Sequence, residues 1–295
     1  PTIFTTLIQP AELAQRLDPA AAAARLVVFD CSYDLADGEA GLRAYALAHL
    51  PGALHIHLER DLGGPKTGRN GRHPLPAREA FAATMARFGV SNDTQVIAYD
   101  STAGMFAARL WWMLRWAGHG AAAVLDGGLP AWQAAGLPVA TGAMSAPAAS
   151  ARFDLHEPLV ATVDRTAVLD NLKLGAADRL QVVDARAADR FRGENETLDA
   201  IGGHIPGAAS RPYRDNVDAN GRFKSPDALR SELAALPSGM APARIINQCG
   251  SGVSACHNLL AFEVAGLPGG LLYPGSWSEW SAYPDAPVAV GPAQD

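Results

Sequence analysis

The segment ARIINQCGSGVSA, residues Ala243–Ala255, carries the most information in this chain. Its first part, Arg244–Gln248, holds two adjacent isoleucines and reads as a buried strand. Cys249 follows, then the short loop Gly250-Ser251-Gly252, then an apolar helical pattern over Val253–Ala265. A nucleophile at a strand end, followed by a glycine loop and a helix N-terminus, sits in a ready-made anion cradle. The glycines let successive N–H groups turn inward, and the helix adds partial positive charge. Such a setting lowers a thiol pKa and stabilises a thiolate or persulfide. A free cysteine is more often a buried packing residue, but this strand–loop–helix context favours chemistry.

Working outward, the strand has a counterpart half a chain away. The first half contains RLVVFDCS (Arg25–Ser32), AHLPGA (Ala48–Ala53), TQVIAYD (Thr94–Asp100), DGGLPAW (Asp126–Trp132) and LPV (Leu137–Val139). The second half contains LQVVDAR (Leu180–Arg186), GHIPGA (Gly203–Ala208), ARIINQC (Ala243–Cys249), PGSWSEW (Pro274–Trp280) and APV (Ala286–Val288). Asp30 and Asp184, His49 and His204, Asp100 and Cys249, and Trp132 and Trp280 are matched at an offset of about 150 residues. A domain-sized period used twice means a duplicated domain rather than a solenoid. We therefore expect a first domain over residues 1–140, a linker over 141–157 and a catalytic domain over 158–295. The linker reading rests on the Ala-, Ser-, Gly- and Pro-rich stretch Ala140–Phe153.

Within each half, short apolar runs alternate with helical patterns. Strands are expected at Leu26–Phe29, Val96–Tyr99, Val124–Leu125, Val182–Asp184, Arg244–Gln248 and Leu271–Tyr273. Helices are expected at Ala77–Phe88, Ala103–Trp116, Pro226–Leu236 and Val253–Ala265. This alternation predicts an α/β class with a mainly parallel sheet and helices on both faces in each domain. Ligands of such sheets sit beyond the carboxyl ends of the strands, where Asp100 and Cys249 both fall.

Composition narrows the function. The 295 residues carry a net charge of -6, with no run of five or more basic residues, which argues against a nucleic-acid or membrane partner. Three cysteines, with no CxxC and no zinc spacing, give neither a disulfide framework nor a metal site. The expected setting is reducing, such as the cytoplasm, because no signal-peptide pattern opens the chain.

The motifs HIPGA (His204–Ala208), CGSGVSA (Cys249–Ala255) and PGSWSEW (Pro274–Trp280) resemble those of the rhodanese superfamily, over nearly the whole chain. Two-domain members have an inactive first domain with an aspartate in place of the cysteine, and Asp100 takes that position here. The resemblance implies two tandem rhodanese-like domains and sulfur transfer through a Cys249 persulfide, without metal or organic cofactor. Phosphatases that share this fold need an arginine closing the cysteine loop. The residue six after Cys249 is Ala255, and 250–260 contains no Arg or Lys.

Thiosulfate-using relatives typically carry cations directly after the cysteine, whereas Gly250 and Ser251 stand here. The loop Gly250, Ser251, Gly252, Val253 and Ser254 looks like that of mercaptopyruvate sulfurtransferases, whose donor has one carboxylate. Arg190 in DRFRGEN (Asp189–Asn195) matches a carboxylate-binding arginine of those enzymes. A second arginine usual about seven residues before the HIPG histidine is replaced by Thr197, leaving Arg186 or Arg192 as stand-ins. Cleaving the donor C–S bond leaves an enolate that needs a proton. By resemblance, Ser251, His73 in GRHPLP (Gly71–Pro76) and Asp61 in ERDLGG (Glu59–Gly64) form a proton relay. Expected partners are a small-molecule sulfur donor and a thiol acceptor, such as thioredoxin or a low-molecular-weight thiol, or cyanide. Thiosulfate as donor and a carrier role fed by a cysteine desulfurase are the alternatives. His49 and His204 read as turn-fixing residues, and Cys31 and Cys256 as core.

Overall fold

The computed structural model describes residues 2–18, 25–142, 151–236 and 241–293. The chain divides into two compact units that are not contiguous in sequence. The first comprises Pro1–Gly64, Pro76–Leu159 and Asp218–Phe223. The second comprises Pro65–Leu75, Val160–Val217 and Lys224–Asp295. The segment Pro65–Leu75, which carries His73, thus packs with the second unit although it precedes most of the first in sequence. Of the expected linker, residues 143–150 lie outside the described residues.

In the first unit the elements run β1 (Leu7–Ile8), α1 (Pro10–Leu17), β2 (Leu26–Asp30), α2 (Ala40–Leu47), β3 (Leu54–His55), α3 (Arg78–Arg87), β4 (Gln95–Tyr99), α4 (Ala107–Trp116), β5 (Ala122–Leu125) and α5 (Gly128–Ala134). In the second they run β6 (Ala161–Thr162), α6 (Arg165–Leu172), β7 (Gln181–Asp184), α7 (Ala188–Arg192), β8 (Ala209–Ser210), α8 (Pro226–Ala234), β9 (Ile245–Gln248), α9 (Ser254–Val264), β10 (Leu271–Leu272) and α10 (Ser276–Trp280). Each unit holds a five-stranded sheet, ordered β1-β5-β4-β2-β3 and β6-β10-β9-β7-β8, and all the strand pairs are parallel. The two orders superimpose element for element, as the sequence repeat requires.

The strands β4, β5 and β9 are buried at every residue, so both sheet faces are covered and the strands read as continuous apolar runs. In the second unit Val182, Ile205, Ile246, Tyr273, Trp277 and Trp280 share one core. The two HxPGA turns are built alike. His49 exchanges backbone bonds with Ala140, and its Nδ1 lies 2.8 Å from Tyr45 O. His204 does the same with Ala289, its Nδ1 2.9 Å from Phe191 O. Both rings are buried and stack on a neighbour, Tyr45 and Phe191 respectively, so these histidines brace turns.

Two expected boundaries shift for local reasons. Arg244 lies in a 3-10 turn, Pro242–Arg244, and the strand starts at Ile245. Helix α4 starts at Ala107 rather than Ala103, because the chain after β4 wraps around the Asp100 carboxylate. That carboxylate accepts hydrogen bonds from the N–H groups of Thr102, Gly104, Phe106 and Ala107, at 2.7 to 2.9 Å. Five of the described strands are only two residues long, and of these β10 falls at the expected Leu271–Tyr273 whereas β1, β3, β6 and β8 leave no hydrophobic period in the sequence.

Candidate active site

Cys249 immediately follows β9, at its carboxyl end, and is 2% exposed. The loop after it is held from α10. Trp277 N donates to Cys249 O and Ser278 N to Gly250 O, both at 2.9 Å. Cys249 N donates to Ser276 Oγ at 3.1 Å, and that hydroxyl donates to Tyr273 O. Ser276 adopts φ 54°, an uncommon conformation for a side-chain-bearing residue, at the start of PGSWSEW. Gly252 adopts φ 74°, and a Cβ there would lie 2.4 Å from Pro274 O. The loop therefore has one backbone path, into α9 at Ser254. Cys256 is fully buried on α9, with Sγ 3.3 Å from Gly252 O.

The first unit shows what this junction does. After β4 the amides of the loop converge on the Asp100 carboxylate, an anion built into the chain. In the second unit the same topological position holds a thiol instead.

Ser251 and His73 meet: Ser251 Oγ and His73 Nδ1 are 2.8 Å apart, and both residues are buried. Asp61 belongs to the first unit, where its carboxylate accepts from His57 N at 2.8 Å and from Arg87 at 2.7 Å.

Beside Gly250 lies a network of three arginines and three carboxylates. Arg190 makes two-pronged bonds to Glu196, at 2.7 to 3.1 Å, and its guanidinium lies 3.6 Å from Asp199. Arg72 pairs with Asp199 and donates its backbone N–H to Ser278 Oγ. A Cβ on Gly250 would lie 2.7 Å from Arg72 Nη2 and 3.7 Å from both Arg190 terminal nitrogens. Arg186, by contrast, is 3% exposed and turned inward. It is gripped by Asp184 and by Gly203 O, and stacks 4.6 Å over Trp277. Burial works against its charge, but Asp184 and Glu196 raise its pKa above the usual value. Burial likewise pushes Glu196 up, and the bonds from Arg190 and Leu198 N more than reverse it, holding its carboxyl below the usual range. Arg192 pairs with Glu194 at the surface.

The stand-ins that the sequence suggested for a second cation, Arg186 and Arg192, are thus both committed elsewhere. The second guanidinium beside the loop is Arg72, which sequence reasoning missed. Its one available signal was adjacency to His73. Ser276 was missed as well, inside a motif read for its place in the repeat and its family likeness. Trp277 and Trp280 are fully buried and donate to Ile201 O and Pro287 O.

Among the described residues no group of His, Cys, Asp or Glu forms a metal site, and no helix is long and apolar enough to cross a membrane.

The rhodanese-like domain family model matches residues 9–135 and again residues 166–283. A probable 3-mercaptopyruvate sulfurtransferase of Pseudomonas aeruginosa is 42% identical over 94% of this chain and 97% of its own. A putative thiosulfate sulfurtransferase, SseB, of Mycobacterium tuberculosis is 38% identical over 97% of this chain and 98% of its own. Among solved structures, the 3-mercaptopyruvate sulfotransferase SseA of Escherichia coli superimposes with a TM-score of 0.76 at 32% identity, covering 93% of this chain and 99% of that one.

Proposed function

This chain belongs to the rhodanese family and is a sulfurtransferase, and we propose that it takes sulfur from 3-mercaptopyruvate onto Cys249 and passes it to a thiol or to cyanide. The observation that carries this reading is the loop itself. A buried thiol ends β9, a hydrogen-bonded Ser251–His73 pair lies two residues on, and two guanidinium groups flank Gly250.

In the proposed reaction the Cys249 thiolate attacks the thiol sulfur of the donor. The new S–S bond forms as the donor's C–S bond breaks, and the electron pair leaves with carbon as the enolate of pyruvate. Arg190 and Arg72 hold the donor carboxylate, since a guanidinium fork matches its two oxygens. The enolate needs a proton, and Ser251 backed by His73 is positioned to relay one. Asp61 joins this relay on the family pattern alone. The persulfide is then held by the loop amides, with Gly250, Gly252, Val253 and Ser254 shaping the cradle, until an acceptor thiolate or cyanide attacks the outer sulfur. Thiosulfate is a second reading, favoured by the arginine pair: attack on its outer sulfur releases sulfite, which needs no protonated carbon. The acceptor is proposed to be a dithiol protein such as thioredoxin or a low-molecular-weight thiol, and the reducing cytoplasm is the setting where such thiols persist.

Steady-state transfer to cyanide, with both donors on one sample, tests this. Cys249→Ser is expected to abolish transfer from either donor. Ser251→Ala is expected to lower kcat with mercaptopyruvate by about 10²-fold, the usual scale of acid–base assistance, and to affect thiosulfate far less. Transfer surviving in Cys249→Ser, or an equal loss for both donors in Ser251→Ala, would sink the respective assignment.

A further inference from the structure

The arginines beside Gly250 do not present bare positive charge. Arg72, Arg186 and Arg190 are matched by Asp184, Glu196 and Asp199. Two of these carboxylates pair with at most one of the cations flanking Gly250. Asp184 faces Arg186, and Glu196 takes the Arg190 fork with one oxygen also 3.3 Å from Arg186. Asp199 differs. It is the one carboxylate among the described residues that pairs with both cations flanking Gly250, Arg72 through one oxygen and Arg190 at 3.6 Å through the other. Its side chain is 7% exposed, its N–H is tied to Glu196 Oε1 at 3.1 Å, and Oδ2 accepts no hydrogen bond among the described residues. The carboxylate is thus largely buried, with one oxygen toward each guanidinium.

We propose that Asp199 is a positioning residue that sets donor specificity, offsetting the charge of the Arg72–Arg190 pair so that the site favours a singly charged carboxylate donor over a dianion such as thiosulfate. The inference rests on the reading of Cys249 as the persulfide carrier with the two arginines as donor clamp. Its physical basis is that a change in local potential acts on each ligand in proportion to the ligand's charge. Removing one negative charge beside the clamp stabilises a monoanion by some factor and a dianion by about the square of that factor. Gly250 and Ser251 leave the loop without cations of its own, and Arg72 and Arg190 are the cations that lie beside Gly250.

The test compares wild type, Asp199→Asn and Asp199→Glu in transfer to cyanide from 3-mercaptopyruvate and from thiosulfate. Asparagine keeps the shape and one acceptor for Arg72 but removes the charge. It is expected to raise the ratio of kcat/KM for thiosulfate over mercaptopyruvate by about tenfold, mainly through KM, while glutamate keeps the wild-type ratio. In the same variant, inhibition by sulfate is expected to tighten more than inhibition by pyruvate. Asp199→Ser carries the same expectation should the asparagine variant fail to fold. A ratio within about twofold of wild type, or an equal fall in kcat for both donors, overturns the proposal and leaves Asp199 as a mere prop for the arginines. Mass spectrometry of wild-type Cys249 after exposure to each donor separates this from failure of the underlying reading. An added sulfur with an unmoved ratio defeats only the role of Asp199. No added sulfur from either donor defeats the persulfide reading itself.

Discussion

At the scale of single residues, two glycines of one loop do different work. Gly252 sits in the left-handed region, and an added Cβ would press within 2.4 Å of a backbone carbonyl, Pro274 O, just before α10. Nothing there gives cheaply. Gly252→Ala is expected to cost about 2 kcal/mol or more in chemical denaturation, through strained backbone and steric overlap together. At Gly250 the obstacle is Arg72 Nη2, the far end of a flexible side chain, at 2.7 Å. Gly250→Ala is expected to leave stability within about 1 kcal/mol of wild type and to raise the donor KM several-fold as the guanidinium is pushed aside. The pair of variants separates a glycine kept for backbone reasons from one kept for a cation. The same residue scale is where the sequence misled about Arg186. A basic residue two after a strand looks available to a ligand, but Asp184 two residues before it closes a local, buried ion pair.

At the scale of elements, the strand–loop–helix junction occurs twice with two answers to one electrostatic demand. In the first unit the loop after β4 satisfies four backbone donors with the Asp100 carboxylate. Asp100 is fully buried, so deleting it would strand those donors away from water. Asp100→Ala is expected to destabilise the chain by about 2–4 kcal/mol in denaturant titration, near the upper end for point changes. A loss under about 0.5 kcal/mol would mean that the amides find other partners and that the loop needs no anion. The strand, the cysteine and the helix of the second junction were legible from β-branched and glycine spacing alone. The delayed start of α4 was not, because Ala103–Ala107 reads as helix until the Asp100 carboxylate competes for its amides.

At the scale of the whole molecule, burial of histidine sets a pH limit. Desolvation lowers the pKa of His57, His119 and His204 from the ordinary 6.5. Each is therefore neutral in the folded state at a pH where the unfolded chain already binds a proton. Stability is fully present above about pH 6.5 and falls as the pH drops through the lowered folded values. Asp30 and Glu279, raised chiefly by desolvation, act in the opposite sense, since the folded chain then holds their protons more tightly than the unfolded one. Their contribution grows as the pH falls toward ordinary carboxylate values and partly offsets the histidines. Denaturant midpoints measured from pH 7.5 to 5.5 are expected to decline, and His204→Asn, if folded, to flatten the decline. A midpoint that rises over this range would show that the raised carboxyls outweigh the buried imidazoles.

What the sequence determined by itself is the part written in local pattern and in repetition. The duplicated α/β units, the longer parallel strands and the place of Cys249 at a strand end follow from periodicity, turn chemistry and motif order, while Ser251 and His73 became candidates through resemblance to a known family. These signals are local because backbone conformation and strand or helix period are decided over a few neighbouring residues. Tertiary structure alone decided which charges face the sulfur. Arg72 and Asp199 are 127 residues apart in the chain, yet they form one ion pair beside Gly250. That pairing exists because the segment Pro65–Leu75 packs with the second unit. No spacing rule reports it, since an ion pair depends on which surfaces close packing brings together and on which competing partner, as Asp184 for Arg186, lies nearer.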